Sequence, residues 1–269
     1  PQDDKIRAII DVKNLQDEEF VNSHYIVLCT KQGIIKKTDL ADFSRPRANG
    51  VNAITIVEGD QLLNAKMTDG NSEIMLAVKS GRAIRFPEAK VRSTGRGAIG
   101  VSGIEVDDAT DEVVGMICVN VEDKTRTVLV VSEKGYGKRT AVDEYRVTNR
   151  GGKGVKTISV TEKTGKLVGI LDVTEKEDLM ITCVSGITIR TSIAQISEQG
   201  RATQGVKLIR LDDEDEIAAI TNLDVVIEQP EAEGIENIVA EASTDAPATN
   251  ESTPESPENN QGPEEKTEN

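Results

Sequence analysis

The chain is poor in the residues that usually do chemistry or fill large cores. Its 269 residues include one histidine, three cysteines, three phenylalanines, three tyrosines and no tryptophan. His24 sits beside a strand start and reads as a solvated turn residue rather than a catalytic base. Cys29, Cys118 and Cys183 lie inside apolar strands without metal-ligand spacing, the pattern of reduced core residues in a cytosolic protein. With so few aromatics, Ile, Val and Leu must fill the interior. No stretch approaches the roughly 18–20 apolar residues of a membrane span, and no cationic segment followed by an apolar one opens the chain. No window has convincing helical periodicity; Ala41–Phe43 and Ile193–Ile196 are single turns at most. Asp and Glu are plentiful, but no spacing singles out an acid–base pair. The turn Gly135-Tyr-Gly137 lacks the Gly-Lys-Ser/Thr and following helix of a nucleotide-binding loop.

What the chain does have is a repeat. Four apolar strands each run into a glycine: Ile26–Thr30 with Gly33, Ile74–Val78 with Gly81, Val128–Ser132 with Gly135, and Leu179–Cys183 with Gly186. The glycines are 48, 54 and 51 residues apart, and a period near 50 marks a repeat architecture. A basic cluster follows each: Lys36-Lys37, Arg82 with Arg85, Lys138-Arg139, and Arg190. A second glycine then recurs at Gly50, Gly100, Gly154 and Gly205, each followed by valine. A further strand type recurs five times, at Ile6–Val12, Leu62–Thr68, Val113–Val119, Leu167–Val173 and Ile217–Leu223. The first of these has no module before it, as in an array cut from a longer one.

Each module reads as four β-strands: an apolar strand, a basic returning strand, a strand beginning at the second glycine (Val51–Val57, Val101–Val106, Val155–Val160, Val206–Leu211) and the strand handed on through an acidic turn. Radial repetition of such sheets is propeller-like. The expected organisation is an all-β domain over residues 1–223, with modules near 5–61, 62–112, 113–166 and 167–223, and an acidic disordered tail over 224–269. The tail holds five of the eight prolines among Glu, Ser, Thr and Asn, a composition too polar to offset its ordering entropy.

The formal charge of −15 hides a segregation. Residues 224–269 carry 13 acidic groups and one lysine, while the windows 31–50, 79–100, 133–156 and 184–207 together hold 21 Lys/Arg against 7 Asp/Glu. In-phase cationic clusters predict a basic rim whose ligand is an extended polyanion. In the third module the second glycine closes the run Arg150-Gly151-Gly152-Lys153-Gly154. Paired glycines allow a tight turn and close backbone approach, their N–H groups can form an anion nest, and Arg150 and Lys153 add charge. Nothing here offers base-specific readout.

That run, together with the repeat, resembles the C-terminal domain of the A subunit of DNA gyrase, the β-pinwheel family. The family's box has the form Gln-Arg-Arg-Gly-Gly-Lys-Gly; Arg150–Gly154 matches its last five positions, and Thr148 and Asn149 depart from its first two. Weaker versions are Arg45-Pro-Arg47-Ala-Asn-Gly50, Arg96-Gly97-Ala-Ile-Gly100 and Arg201-Ala-Thr-Gln-Gly205, and Gly33–Thr38 and Gly135–Val142 also look like later blades. In that family the defining box lies in the first of about six blades. The resemblance therefore implies that this chain begins after the first two blades and lacks the principal box.

The resemblance implies double-stranded DNA, bound largely without regard to sequence, as the ligand. The residues expected to touch it are Lys36, Lys37, Arg45, Arg47, Arg82, Arg85, Arg92, Arg96, Lys138, Arg139, Arg150, Gly151, Gly152, Lys153, Gly154, Arg190 and Arg201. Implied partners are the N-terminal breakage-reunion domain of the same polypeptide and the ATPase subunit, in an ATP-dependent type II topoisomerase that introduces negative supercoils in the bacterial cytoplasm, on the chromosome. ATP and Mg would sit on other parts of that enzyme, with no cofactor in this chain. Tyr25, Tyr136 and Tyr145 occupy repeat positions and do not follow an arginine as the family's nucleophile does, so no catalytic residue is expected here. Two other readings stay open: the equivalent domain of topoisomerase IV, and a propeller-like protein-interaction scaffold.

Overall fold

The computed structural model describes residues 5–12, 15–107, 110–212 and 214–224; the acidic tail expected to be disordered lies, beyond Asp224, outside them. The fold is all-β and propeller-like. Blade one orders its strands Leu62–Thr68, Tyr25–Thr30, Ile34–Asp39, Val101–Ser102. Blade two repeats this with Val113–Val119, Glu73–Val78, Arg82–Pro87, Val155–Lys156, and blade three with Leu167–Val173, Thr127–Ser132, Tyr136–Ala141, Val206–Lys207. Blade four has three described strands, Ile217–Asp224, Glu177–Cys183 and Thr188–Ser192. All pairings between these strands are antiparallel, and single parallel bridges join Lys37 to Ser93, Arg85 to Val147 and Arg139 to Glu198. We name the four positions inner, leading, returning and outer, because the Leu62–Thr68 type strands touch one another from blade to blade.

The outer strand is the departure from the sequence reading. It follows the second glycine as expected, but it pairs with the returning strand of the preceding module, not its own: Val101 lies opposite Ile35, Val155 opposite Ala83, Val206 opposite Gly137. It is also two residues long instead of six, because the chain then crosses the glycine turn of that blade. Gly103, Thr157 and Leu208 donate to the carbonyls of Gly33, Gly81 and Gly135 at 2.8, 2.9 and 2.8 Å. Val51–Val57 and Ile6–Val12 form no strand. Each belongs to the pattern of a blade that would precede the first, and no described strand stands there to pair with them. Glu18–Ser23 forms a short helix that the sequence reading missed; its start is capped by Asp17, whose carboxylate accepts from Phe20 N at 3.1 Å. His24 ends it, its ring stacked on Phe20 and its Nδ1 2.8 Å from the Phe20 carbonyl.

The core lies between blades. One cluster joins Val27, Cys29 and Ile35 of blade one to Ile74, Leu76, Ile84 and Phe86 of blade two. A second joins Met75, Ala77 and Ile117 to Val128, Val130 and Tyr145, and a third joins Leu129 and Val131 to Leu179, Ile181 and Ile193. The leading strands of blades two and three are therefore apolar on both faces, whereas that of blade four alternates buried and half-buried residues. The other face of blade one packs against Ala8, Ile10, Val12, Leu15, Val21 and Phe20.

Two glycines set each joint. A Cβ on Gly205 would stand 2.5 Å from the Gly137 carbonyl oxygen, and one on Gly135 would stand 2.8 Å from that of Ile209. Buried cations complete it. Lys36 Nζ donates to the carbonyls of Arg96 and Ala53 at 2.8 and 2.6 Å. Lys138 Nζ donates to the Gly200 carbonyl. Arg85 Nη1 donates to the Val142 and Tyr145 carbonyls at 2.7 and 3.0 Å, and its Nε pairs with Glu73. Arg139 Nε donates to the Ile196 carbonyl at 2.7 Å. Each cation sits on a returning strand and, through these bonds, holds the loop of the next module; the same strand's backbone accepts from Thr94, Thr148 or Gln199 N at 2.9, 2.9 and 2.8 Å.

The joint predicts a contrast between two glycines with similar left-handed backbones, Gly205 (φ +81°) and Gly50 (φ +72°), of which Gly50 has open space around it. In dilute solution Gly50→Ala should cost about 1 kcal/mol of stability, the backbone penalty alone. Gly205→Ala should cost about 1–3 kcal/mol more from the carbonyl overlap. Equal urea midpoints for the two variants would contradict the joint.

Lys138 gives a second prediction. Desolvation pulls its pKa down to about 8, opposed by Glu144 and assisted by Arg201. A lysine pKa lowered on folding means that the folded state holds its proton less well than the unfolded state. The unfavourable contribution is full below about pH 8 and fades as pH rises toward the unfolded value of 10.5. The stability of the native chain relative to Lys138→Met should therefore rise between pH 8 and 10.5, other titrating groups cancelling in the comparison. A difference that is flat or falling with pH, in urea melts, would contradict it.

Candidate nucleic-acid interface

The structure divides the seventeen sequence-predicted positions into an interior set and a surface set. Lys36, Lys37, Arg85, Lys138 and Arg139 are buried. Four are described above; Lys37 Nζ lies 3.4 Å from the buried Glu88 carboxylate and 4.5 Å from the centroid of the Tyr25 ring. These five do not form the surface rim expected of them. A cation displaced from water needs carbonyls or carboxylates around it, and here those groups belong to the protein. Arg82 is held by Asp107 at 2.6 Å. Arg190 occupies the same repeat position as Lys37, Arg85 and Arg139, yet it is half exposed and pairs with Asp178 of its own blade at 2.6 Å.

The box run of the third module is likewise partly structural. Gly151 and Gly154 have φ of +79° and +74°, the left-handed turn the sequence called for. The Gly151 N–H is donated to the Gly103 carbonyl at 2.7 Å, so it is engaged within the protein and not offered to an anion nest. Gly154 and Gly152 pack over Ala83 and Ile84. Arg150 donates from Nε and Nη1 to the carbonyls of Lys90 and Ser102 at 3.1 and 3.0 Å. Arg201, one module later, does the same to the Lys156 carbonyl at 3.0 Å. Both brace an outer strand. Lys153 projects outward, 65 % exposed, with Glu105 and Asp107 no closer than 3.5 and 3.8 Å.

Of the predicted positions, Arg45, Arg47, Arg92 and Arg96 face solvent wholly or in part on the loops after the returning strands. Arg45 and Arg47 are exposed and, with the half-exposed Arg96, line an open cleft of about 660 Å³ that Ala41, Asp42 and Ser44 complete. Arg92 is exposed one residue after the buried Val91. Arg146, which the sequence reading did not single out, holds the same place after the buried Tyr145. Lys156 and Lys207 are exposed on outer strands and were also missed. The signal for Arg146 was its repeat phase: alignment on the second glycines places it opposite Arg92. In blade four the corresponding residue is Ser197, followed by Glu198, and the cationic character fades. Tyr145 is enclosed, its hydroxyl 2.5 Å from Thr157 Oγ1, in no position to attack a phosphate. Among the described residues no cluster of His, Cys, Asp or Glu is arranged to hold a metal, and no helix is long and apolar enough to cross a membrane.

Comparison with known proteins agrees with this geometry. The family model described as DNA gyrase C-terminal domain, beta-propeller, matches residues 24–69, 72–120, 126–174 and 177–224, one match per blade. The A subunit of DNA gyrase from Staphylococcus aureus (strain NCTC 8325 / PS 47) is 40% identical over 245 residues, which is 90% of this chain and 27% of that protein. The chain thus spans about a quarter of the curated relatives it matches. A solved DNA gyrase A C-terminal domain superposes with a TM-score of 0.69 at 27% identity, over 80% of this chain and 69% of that one. The C-terminal domain of a DNA topoisomerase IV superposes with a TM-score of 0.72 at 19% identity, over 80% of this chain and 65% of that one, a likeness of fold. With four family matches in phase with four blades, the chain belongs to the DNA gyrase C-terminal domain family of β-propellers.

Proposed function

We propose that this chain binds double-stranded DNA through its phosphates along the loops of successive blades and bends it there, serving a type II topoisomerase whose strand-passing and ATP-hydrolysing parts lie elsewhere. The observation that carries this reading is the recurrence of exposed or half-exposed arginines and lysines around the second glycine of consecutive modules: Arg45 and Arg47 before Gly50, Arg92 and Arg96 before Gly100, and Arg146, Lys153 and Lys156 about Gly154, with Arg92 and Arg146 in the same repeat phase. A line of cations at module spacing fits a polymer of regularly spaced charge. Isolated lysines and arginines grip phosphate and sugar, so they fix position without reading sequence. The relationship to gyrase A favours two partners, the breakage-reunion part of the same polypeptide and the ATPase subunit, with DNA supercoiling the process served. The buried cations contribute indirectly, by fixing the loops on which the exposed ones stand.

Changing Arg92, Arg146, Lys153 and Lys156 together to glutamate should weaken DNA binding while the domain stays folded. Each lost phosphate contact should lower the log–log salt slope by about 0.9. An unchanged affinity and slope in a folded variant, measured by fluorescence anisotropy at several salt concentrations, rejects this footprint.

Affinity should also vary little among duplexes of equal length and different sequence, and rise with duplex length and with flexible pyrimidine–purine steps, since bending costs elastic energy. Competition at fixed salt checks this; a strong preference for one short motif contradicts it.

A further inference from the structure

Blade four ends on an open strand. Its returning strand, Thr188–Ser192, has no outer strand among the described residues. Thr188, Ile189 and Arg190 are exposed where the same positions in blades one to three are buried. Val184 and Ile187, on either side of the turn, are 70% and 50% exposed. At Gly186 a Cβ would meet nothing within 4 Å, although its φ of +90° is like that of the other turn glycines; at Gly33, Gly81 and Gly135 it would stand 2.6, 2.9 and 2.8 Å from the carbonyl oxygens of Ile104, Ile158 and Ile209. Exposed sheet edges are ordinarily blunted by charge, proline or a bulge. Between Gly186 and Ser192 the single charged side chain is Arg190, which Asp178 of the same blade engages.

The three filled joints define what such an edge takes. Each outer segment reads Gly-Val-x-x-Ile-x-(Val/Leu): Gly100 to Val106, Gly154 to Val160 and Gly205 to Leu211. It runs antiparallel, with its valine opposite the second residue after the turn glycine. Its fourth residue (Gly103, Thr157 or Leu208) donates to the carbonyl of that glycine. The isoleucine closes over the turn glycine and is buried in all three. The opening glycine is required by contact: a Cβ on Gly100, Gly154 or Gly205 would stand 2.6, 2.5 or 2.5 Å from a carbonyl oxygen of the returning strand.

We propose that the blade-four edge is a docking site for an extended segment of a partner protein that carries this same signature: a glycine, a β-branched residue directly after it, and an isoleucine three residues further on. The segment adds antiparallel to the returning strand, its β-branched residue opposite Thr188 and the next residue opposite Ile187. Its fourth residue donates to the Gly186 carbonyl, and its isoleucine fills the open space over Gly186. Recognition rests on main-chain pairing and two side-chain requirements, as in strand addition to an exposed sheet edge. The contact continues the interface that already joins blades one to three. It is distinct from the cationic loops, because nothing in the signature calls for charge.

The probe is the peptide Gly-Val-Lys-Thr-Ile-Ser-Val, the sequence of residues 154–160, added to the full chain and followed by NMR and by hydrogen–deuterium exchange at the Thr188 amide. Gly33 and Lys37 offer their carbonyls to the crossing chain, so strand alternation turns the position between them, Thr188 in blade four, outward as well. At saturation the Thr188 amide should exchange at least about tenfold more slowly, with blades one to three unchanged. Gly154→Ala and Ile158→Asp versions of the peptide should each bind about tenfold more weakly or worse, through backbone overlap and through burial of a carboxylate; these changes leave the chain itself untouched. Gly186→Ala in the chain should weaken binding of the unaltered peptide as much. Absence of saturable binding at about 2 mM peptide, or equal binding by the same residues in scrambled order, overturns the assignment. So does a Thr188 amide protected without peptide: protection that fades on dilution from about 100 to 1 µM gives the edge to a second copy, and protection independent of dilution gives it to the chain itself.

Discussion

Every boundary between blades depends on a carbonyl oxygen packed against a glycine that has no side chain to move aside. The contact exists because the outer strand of each blade comes from the next module, so two turn backbones must cross at a distance no Cβ allows. Two adjoining blades are then held by different means at once: an apolar cluster between their faces, and a backbone ladder at their rim. Neither blade can leave without breaking both. This coupling compensates for small aromatic content, since clusters of Ile, Val and Leu need only fill the gap between sheets already tied at the edge.

The buried cations follow from the same crossing. A loop that passes over a returning strand turns backbone carbonyls toward it, and those carbonyls need donors away from water. Lys36, Lys138, Arg85 and Arg139 provide them. The charge is expensive to desolvate, which is why Lys138 is held well below the usual lysine range, but a buried carbonyl left without a donor is also costly. Blade two solves the problem differently, with Ile84 at the lysine position beneath Gly152. The cationic residues of this fold thus have two employments, internal support and external display, and their strand or loop position decides which.

Much of this was legible in the sequence. The period, the leading and returning strands, the inner strands and the two sets of glycines are local signals: β-branched runs ending at residues that supply positive φ. The exchange of outer strands was not legible, because a short β-branched run such as Val155–Val160 gives no sign of which neighbour it joins. The buried cations misled for a related reason. Lys36-Lys37 reads as surface, yet the repeat held the correction, since Ile84 and Ile189 stand where Lys36 and Lys138 do. A position that alternates between lysine and isoleucine across modules faces the interior in blades one to three, where Lys36, Ile84 and Lys138 are buried. The helix at Glu18–Ser23 is too short for periodicity to register, and only its Asp17 cap announced it.

Strand exchange also determines how such an array can change in evolution. Because every joint has the same two halves, a duplication or deletion of one full period, wherever its ends fall, leaves each surviving strand facing an equivalent partner. Blade number is therefore free to drift without any new interface being invented. The two ends enjoy no such freedom: one always lacks a donor and the other an acceptor. Selection on a chain of this kind should accordingly concentrate its irregular sequence at the termini, where the periodic solution runs out.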